Sequence, residues 1–323
     1  MPQGERFFYL PFVGSWFILI FNKTRAEMND MNRQRKADLL LVMITAFWGV
    51  SYFLMDICLT DLPPLCLNAF RFLIAFGLLT AVFFPRMRNI SRATLRYSLM
   101  VGLCLSCVYT CCTYGVLYTS ISNAGFICAL PVVTTPLLEF SLSRKRPDHR
   151  LLTALTLCTV GLALLTLNEQ LRLALGDILC LGVAVFYAVD LIITDRAVRH
   201  PEVNALQMGI CQLGVVGIVM LTLTLTLEQP HLPSKPLIWG SALFLAIFCT
   251  GIAFVVQTVQ QQYTTASHVG LIFTLEPLFS AVVAYCLAGE RLHPRGYVGA
   301  ALMMASLILM ELDWTSWKKI LRK

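Results

Sequence analysis

Tyr118–Arg150 reads YTSISNAGFICALPVVTTPLLEFSLSRKRPDHR, and Tyr263–Arg295 reads YTTASHVGLIFTLEPLFSAVVAYCLAGERLHPR. The two stretches share a Tyr-Thr start and carry Ser, Gly and Pro at matching places. An internal repeat dictates how a fold is assembled, because each copy is one structural unit that packs against its neighbours. How the copies relate depends on what separates them.

Composition sets the class. The chain has 323 residues, of which 57% are hydrophobic and 13% charged, with a mean hydropathy of +0.72. One water-soluble core could not bury that much apolar surface. Apolar blocks of about 20 residues recur along the chain, the length an α-helix needs to cross a hydrocarbon layer of about 30 Å. Ten such blocks fall near 38–56, 65–84, 97–117, 121–142, 151–167, 177–195, 205–227, 237–258, 266–288 and 296–312. They alternate too little and run too long for barrel strands. The expected fold is an all-α integral membrane protein with ten transmembrane helices.

The net charge of +7 has a membrane explanation. With the N-terminus placed inside, twenty of the 25 Lys and Arg fall in inside segments, four in outside loops, and Arg71 within a span. That asymmetry predicts a multi-pass plasma-membrane protein with both termini cytoplasmic. It would be a bacterial inner membrane in a bacterium. No nucleic-acid partner is expected. Most of the 12 cysteines lie inside apolar blocks, where they read as small packing residues, and no metal is expected.

Five spans separate Tyr118 from Tyr263. Five is odd, so a segment that begins outside in its first copy begins inside in its second. The halves are therefore expected to be inverted repeats around a central cavity, residues 37–168 and 176–312. Ala37-Asp38 opens one half and Gly176-Asp177 the other, and Trp48-Gly49-Val50-Ser51 corresponds roughly to Phe186-Tyr187-Ala188-Val189. Residues 1–36 read as an N-terminal extension, loosely structured or interfacial, with Met28 or Met31 as alternative starts. Residues 313–323 read as a basic cytoplasmic tail.

Three dipeptides carry a family resemblance: Trp48-Gly49 in the first span, Arg71-Phe72 in the second, and Glu276-Pro277 in the ninth, followed by Gly289-Glu290-Arg291-Leu292. Over about 37–312 the chain resembles the EamA family of the drug/metabolite transporter superfamily. The resemblance implies two inverted five-helix halves around a cavity, and export or exchange of small metabolites or drugs. The first copy departs from it, with Leu142-Ser143-Arg144-Lys145 in place of Leu-Gly-Glu-Arg.

Ionisable groups within a span need a cavity or a partner, since they cost about 2.5 to 3.5 kcal/mol near the bilayer centre on insertion scales. Glu276 lies mid-span and is the leading candidate for a proton or cation site. Pro277 cannot donate to the Phe273 carbonyl, so a kink is expected there. Pro131, Pro136 and Pro277 mark the helices expected to bend. His268 lies eight residues before Glu276, hence on nearly the same face about 12 Å away along a straight helix. Its place near the cytoplasmic end predicts partial solvation. Arg71 is read either as pairing with a carboxylate such as Asp56 or Glu276, or an anionic substrate group, or as snorkelling to the headgroups. Asp190 and Glu139 lie near the cytoplasmic ends of their spans, where solvation or a structural pair is expected, and Asp190 shares a stripe with Tyr187 and Thr194. Trp48, Asn68, Tyr109, Tyr114 and Gln257 complete the candidate substrate pathway, with Gln260 beside them. Aligning Pro131 with Pro277 calls for one extra residue in the second copy, Glu276 itself.

The chain carries no Walker loop, HExxH motif or Gly-x-Ser-x-Gly elbow, so neither an ATPase nor a hydrolase is indicated and no cofactor is expected. The expectation is a secondary-active transporter of small molecules, not an enzyme. A membrane enzyme acting on lipids or isoprenoids, and a non-transporting receptor or scaffold, are the alternatives.

Overall fold

A computed structural model describes residues 33–118, 127–143, 148–166, 175–283, 285–286 and 294–311. The extension up to residue 32, Gly125, Arg144-Lys145, the seam 168–174, Gly289–Leu292 and the tail 313–323 lie outside the described residues. Among the described residues the chain is helical with no strand.

The long helices are α1 (Arg33–Leu59), α2 (Pro64–Val82), α3 (Arg92–Leu117), α4 (Pro131–Ser143), α5 (His149–Thr166), α6 (Leu175–Val198) and α7 (Ala205–Leu227). They are followed by α8 (Pro236–Tyr263), α9 (Ala266–Val283) and α10 (Pro294–Glu311). Seven of these, namely α1, α2, α3, α6, α7, α8 and α9, are long and apolar enough to cross a membrane. Sequence-level spans and helices agree to within a few residues where both are described, and α7 matches its block end to end.

Local chemistry fixes the ends. Pro64 opens α2 and Pro236 opens α8, where a missing N–H costs nothing. Ser91 caps α3 by accepting from the Thr94 N–H, and Asn204 caps α7 by accepting from Leu206 and Gln207. α2 and α7 run antiparallel and are tied at both ends. Both Glu228 carboxylate oxygens, just past the end of α7, accept from the Leu65 and Cys66 N–H groups. At the other end the Gln207 amide donates to the Arg86 and Asn89 carbonyls.

Packing partners follow a pattern. α1 packs on α8 and α9, and α6 packs on α3 and α4. α2 packs on α7 and α8, and α7 on α2 and α3. α5 lies along α10, and α4 meets α9. Two contacts are backbone-close: a Cβ on Gly49 would lie 2.4 Å from Phe279 Cβ, and one on Gly161 would lie 2.6 Å from the Gly299 carbonyl oxygen.

Two helices are irregular in ways that matter for the site. α8 opens into a π-helical stretch, Leu245–Ile252, before resuming as Ala253–Gln260. α9 breaks into Ala266–Phe273 and Glu276–Val283. Thr274 and Leu275 form a tight turn, donating to Leu271 and Ile272, because Pro277 leaves the Phe273 carbonyl without its usual donor. Ala129-Leu130 make the same turn before Pro131. The breaks fall 145 residues apart, the same offset that separates Tyr118 from Tyr263, so the repeats align without a gap and Glu276 stands opposite Pro131. This corrects the one-residue insertion expected from matching proline to proline. Pro131 starts a helical piece, and Pro136 is carried inside α4.

Candidate functional site

Six aromatic rings from six helices converge at the middle of the bundle. Trp48 of α1 meets Phe273 of α9 edge to face, with centroids 4.7 Å apart, and lies 5.5 Å from Phe254 of α8. Phe72 of α2 meets Tyr109 of α3 at 4.8 Å, and Phe254 lies 5.9 Å from Phe72 and 6.2 Å from Tyr109. Tyr187 of α6 stacks on Phe273 at 6.2 Å. Rings in offset or edge contact add to the stability that area burial provides, so the cluster is both a core and a platform. The two halves of the chain supply three rings each.

The π-helical stretch serves this cluster. It widens the backbone so that the Cys249 carbonyl accepts from Trp48 Nε1 at 2.8 Å and the Thr250 hydroxyl accepts from Arg71 Nε at 2.7 Å. Arg71 is 1% exposed and stands 5.5 Å from the Tyr109 ring and 5.8 Å from the Phe72 ring. Its Nη1 also reaches Met55 Sδ at 3.5 Å. The snorkelling expectation is therefore overturned: this face of α2 points into the bundle, where Thr250 and two rings hold the guanidinium. Asp56 faces outward.

Carboxylates also border the rings. Glu276, in the first turn of the second α9 piece, lies close enough to Tyr109, Tyr187 and Cys249 to act on each electrostatically. The first turn of a helix is a favourable seat for a carboxylate. Asp190, one turn beyond Tyr187, is 2% exposed, and its Oδ1 is buried with no hydrogen-bond partner. Of the two expectations for Asp190, solvation or a structural pair, its burial on α6, which packs on α3, removes the first.

The remaining candidates are dispersed. Asn68 donates to the Thr113 hydroxyl between α2 and α3. Gln257 is buried on α8 one turn past Phe254, while Tyr114 lies toward the Glu228 end. Glu139 accepts from the Ser267 hydroxyl, a pair joining α4 to α9. His268 is 6% exposed and its Nε2 contacts Asp38 Oδ1 at 3.3 Å. It is neither half-solvated nor on one straight face with Glu276, because the break at Thr274-Leu275 intervenes. Sequence reading passed over Thr250, Phe254, Phe273 and Asp38 as partners; an acid at a helix start could have signalled Asp38.

The three dipeptides quoted above therefore meet at one place: Trp48, Arg71 with Phe72, and Glu276 all border the ring cluster. The EamA-like transporter family model matches residues 35–167 and again 174–312. The chain belongs to the EamA-like transporter family.

Relatives agree with that placement. An uncharacterized transporter of Archaeoglobus fulgidus is 26% identical over 276 residues, covering 85% of this chain and 86% of that one. A protein of Salmonella typhimurium named "Probable amino-acid metabolite efflux pump" is 23% identical, covering 85% and 94%. A solved structure described as "Crystal structure of protein" superposes with a TM-score of 0.72 at 16% identity, over 86% of this chain and 96% of that chain, and speaks for the fold alone. As an EamA-like transporter this is a multi-pass membrane protein whose substrate is a small molecule.

Proposed function

We propose that this EamA-like protein is a secondary-active exporter or exchanger of small amphipathic metabolites, such as amino acids or drug-like compounds, working by alternating access. The observation that carries the reading is the ring cluster bordered by Arg71, Glu276 and Asp190. A guanidinium suits a substrate carboxylate, a carboxylate suits a substrate ammonium, and aromatic faces suit either a side chain or a cation. The name of the Salmonella relative supports an amino-acid-like substrate.

The architecture proposed is ten spans in two inverted five-helix halves, residues 37–168 and 176–312. Adding five to each helix number turns the α1 contacts with α8 and α9 into the α6 contacts with α3 and α4, and returns α2–α7, α5–α10 and α4–α9 to themselves. A pseudo-two-fold of that kind supports halves that rock about a midplane site. The charge asymmetry supports a plasma-membrane orientation with both termini cytoplasmic, which places the Asp38 end inside and the Glu228 end outside.

Purified protein is first screened by thermal shift against amino acids and cationic drug-like compounds, and hits are then followed as flux in proteoliposomes. Saturable flux above empty vesicles is expected, and no compound moving faster than in empty vesicles overturns the reading. Glu276→Gln is expected to reduce flux and flatten its pH dependence. Full activity of that variant at every pH removes Glu276 from proton or cation coupling.

A further inference from the structure

Away from the ring cluster, one buried acid–base contact joins the first half of the chain to the second. Asp38 lies near the start of α1 and His268 near the start of α9, with Oδ1 and Nε2 3.3 Å apart and each side chain 7% exposed. An imidazole beside a carboxylate is an ion pair only while the ring holds a proton; once the proton leaves, a buried carboxylate faces a neutral ring. The strength of this contact is thus set by one proton.

Its mechanical position gives the proton something to act on. α1 and α9 run parallel, since Gly49 meets Phe279 eleven residues beyond Asp38 and His268 on each helix. At the Gly49 end the helices are locked backbone to backbone. At the Asp38 end, the first α9 piece is only eight residues long, begins at a Thr265 cap, and is set off by the turn at Thr274-Leu275. The turn separates that piece from the contact at Gly49. The repeat supports the assignment by contrast. Asp177 opens α6 as Asp38 opens α1, but the counterpart of His268 at the 145-residue offset is Asn123, whose amide does not titrate.

We propose that Asp38 and His268 form a proton-binding site that latches α1 to α9 at the cytoplasmic end. With the proton on His268 the latch is closed; its loss to the cytoplasm releases the first piece of α9 and opens the inner mouth of the pathway. The proposal rests on the transport reading for its purpose and orientation. Other charged or titratable groups on the elements around the pair are Lys36 on α1, Tyr263 at the end of α8, and Glu139 on α4 bonded to Ser267. On α6 they are Asp190, Asp195 and Arg196, and the Asp195–Arg199 ion pair donates onward to the Thr264 carbonyl. Glu276 lies beyond the turn.

Hydrogen exchange of the full chain in nanodiscs tests the latch without any substrate, so it stands or falls separately from flux. Protection is compared at about pH 6 and about pH 8, either side of the ordinary imidazole value of about 6.5, after correction for intrinsic exchange. Amides of residues 266–273 are expected to exchange at least about fivefold faster at the higher pH, as a released local unit does. His268→Gln and Asp38→Asn are each expected to abolish that difference. Equal protection at both pH values in the unmodified protein overturns the proposal, and so does a pH response that survives in His268→Gln. If one variant does not fold, the other and the unmodified protein decide the matter.

Discussion

Arg71 Nε donates to the Thr250 hydroxyl at 2.7 Å across 179 residues of chain, and the hydroxyl is within reach because α8 is π-helical where it passes α2. The guanidinium also contacts Met55 Sδ through Nη1 and lies beside the Phe72 and Tyr109 rings. A lysine at this position keeps the charge but loses the planar fork and the ring stacking. Arg71→Lys is expected to lower flux by about tenfold or more with a higher KM, and Thr250→Val to lower it by less, since that variant leaves the guanidinium and both of its rings in place. Equal flux in Arg71→Lys would remove the guanidinium from substrate contact.

Gly49 and Gly77 offer a matched pair. A Cβ on Gly49 would overlap Phe279, whereas one on Gly77 would meet nothing within 4 Å. Gly49→Ala is therefore expected to destabilise by about 1 to 3 kcal/mol through forced separation of α1 and α9. Gly77→Ala, in a helix interior with room to spare, is expected to be neutral or stabilising by about 0.5 to 1 kcal/mol. Melting temperatures in one detergent check both.

Asp190 pairs poor stability with a plausible use. Its Oδ1 is buried without a hydrogen-bond partner, a cost that a fold retains only if something else needs the carboxylate. Asp190→Leu is expected to raise stability by about 1 to 3 kcal/mol while reducing flux. A lower melting temperature in that variant would contradict the prediction.

Asp61 gives a pH signature at the opposite end of the bundle. The Ser234 N–H and hydroxyl both donate to it, at 2.8 and 2.7 Å, and hold its carboxyl below the usual range. A depressed folded value means the tie is at full strength above the ordinary carboxylate value of about 4 and is lost as pH falls through the lowered one. Protection of the Ser234 amide is therefore expected to stay constant from neutral pH down to about 5 and to fall in stronger acid. Asp61→Asn is expected to weaken it at every pH.

Much of this was legible in the residues. Block lengths located the helices because hydrocarbon thickness leaves little freedom, and Pro277 signalled the bend in α9 because proline chemistry is local, whereas the repeat aligned on its prolines was one residue out of register. The three dipeptides pointed to the family. What could not be read was orientation around each helix axis: Arg71 turned inward and His268 was covered by α1, both decided by partners distant in the chain. Trp48 corresponds in place to Tyr187 once Asp38 and Asp177 are matched, while the neighbouring Phe186 is exposed. The π-helical stretch left no trace in the sequence pattern, yet it positions the acceptors of both Trp48 and Arg71.

The paired turns before Pro131 and Glu276 carry a last consequence. Both copies need an interruption at that level, and in the first a proline at the opening position supplies it. In the second the proline stands one place later, so the same interruption is made by a neighbour and the opening position is vacated. The two copies thus differ at the position that follows the turn, which holds a proline in one and an acid in the other. Exchanging the two residues, with Pro131→Glu and Glu276→Pro, would ask whether that place can be moved to the other copy.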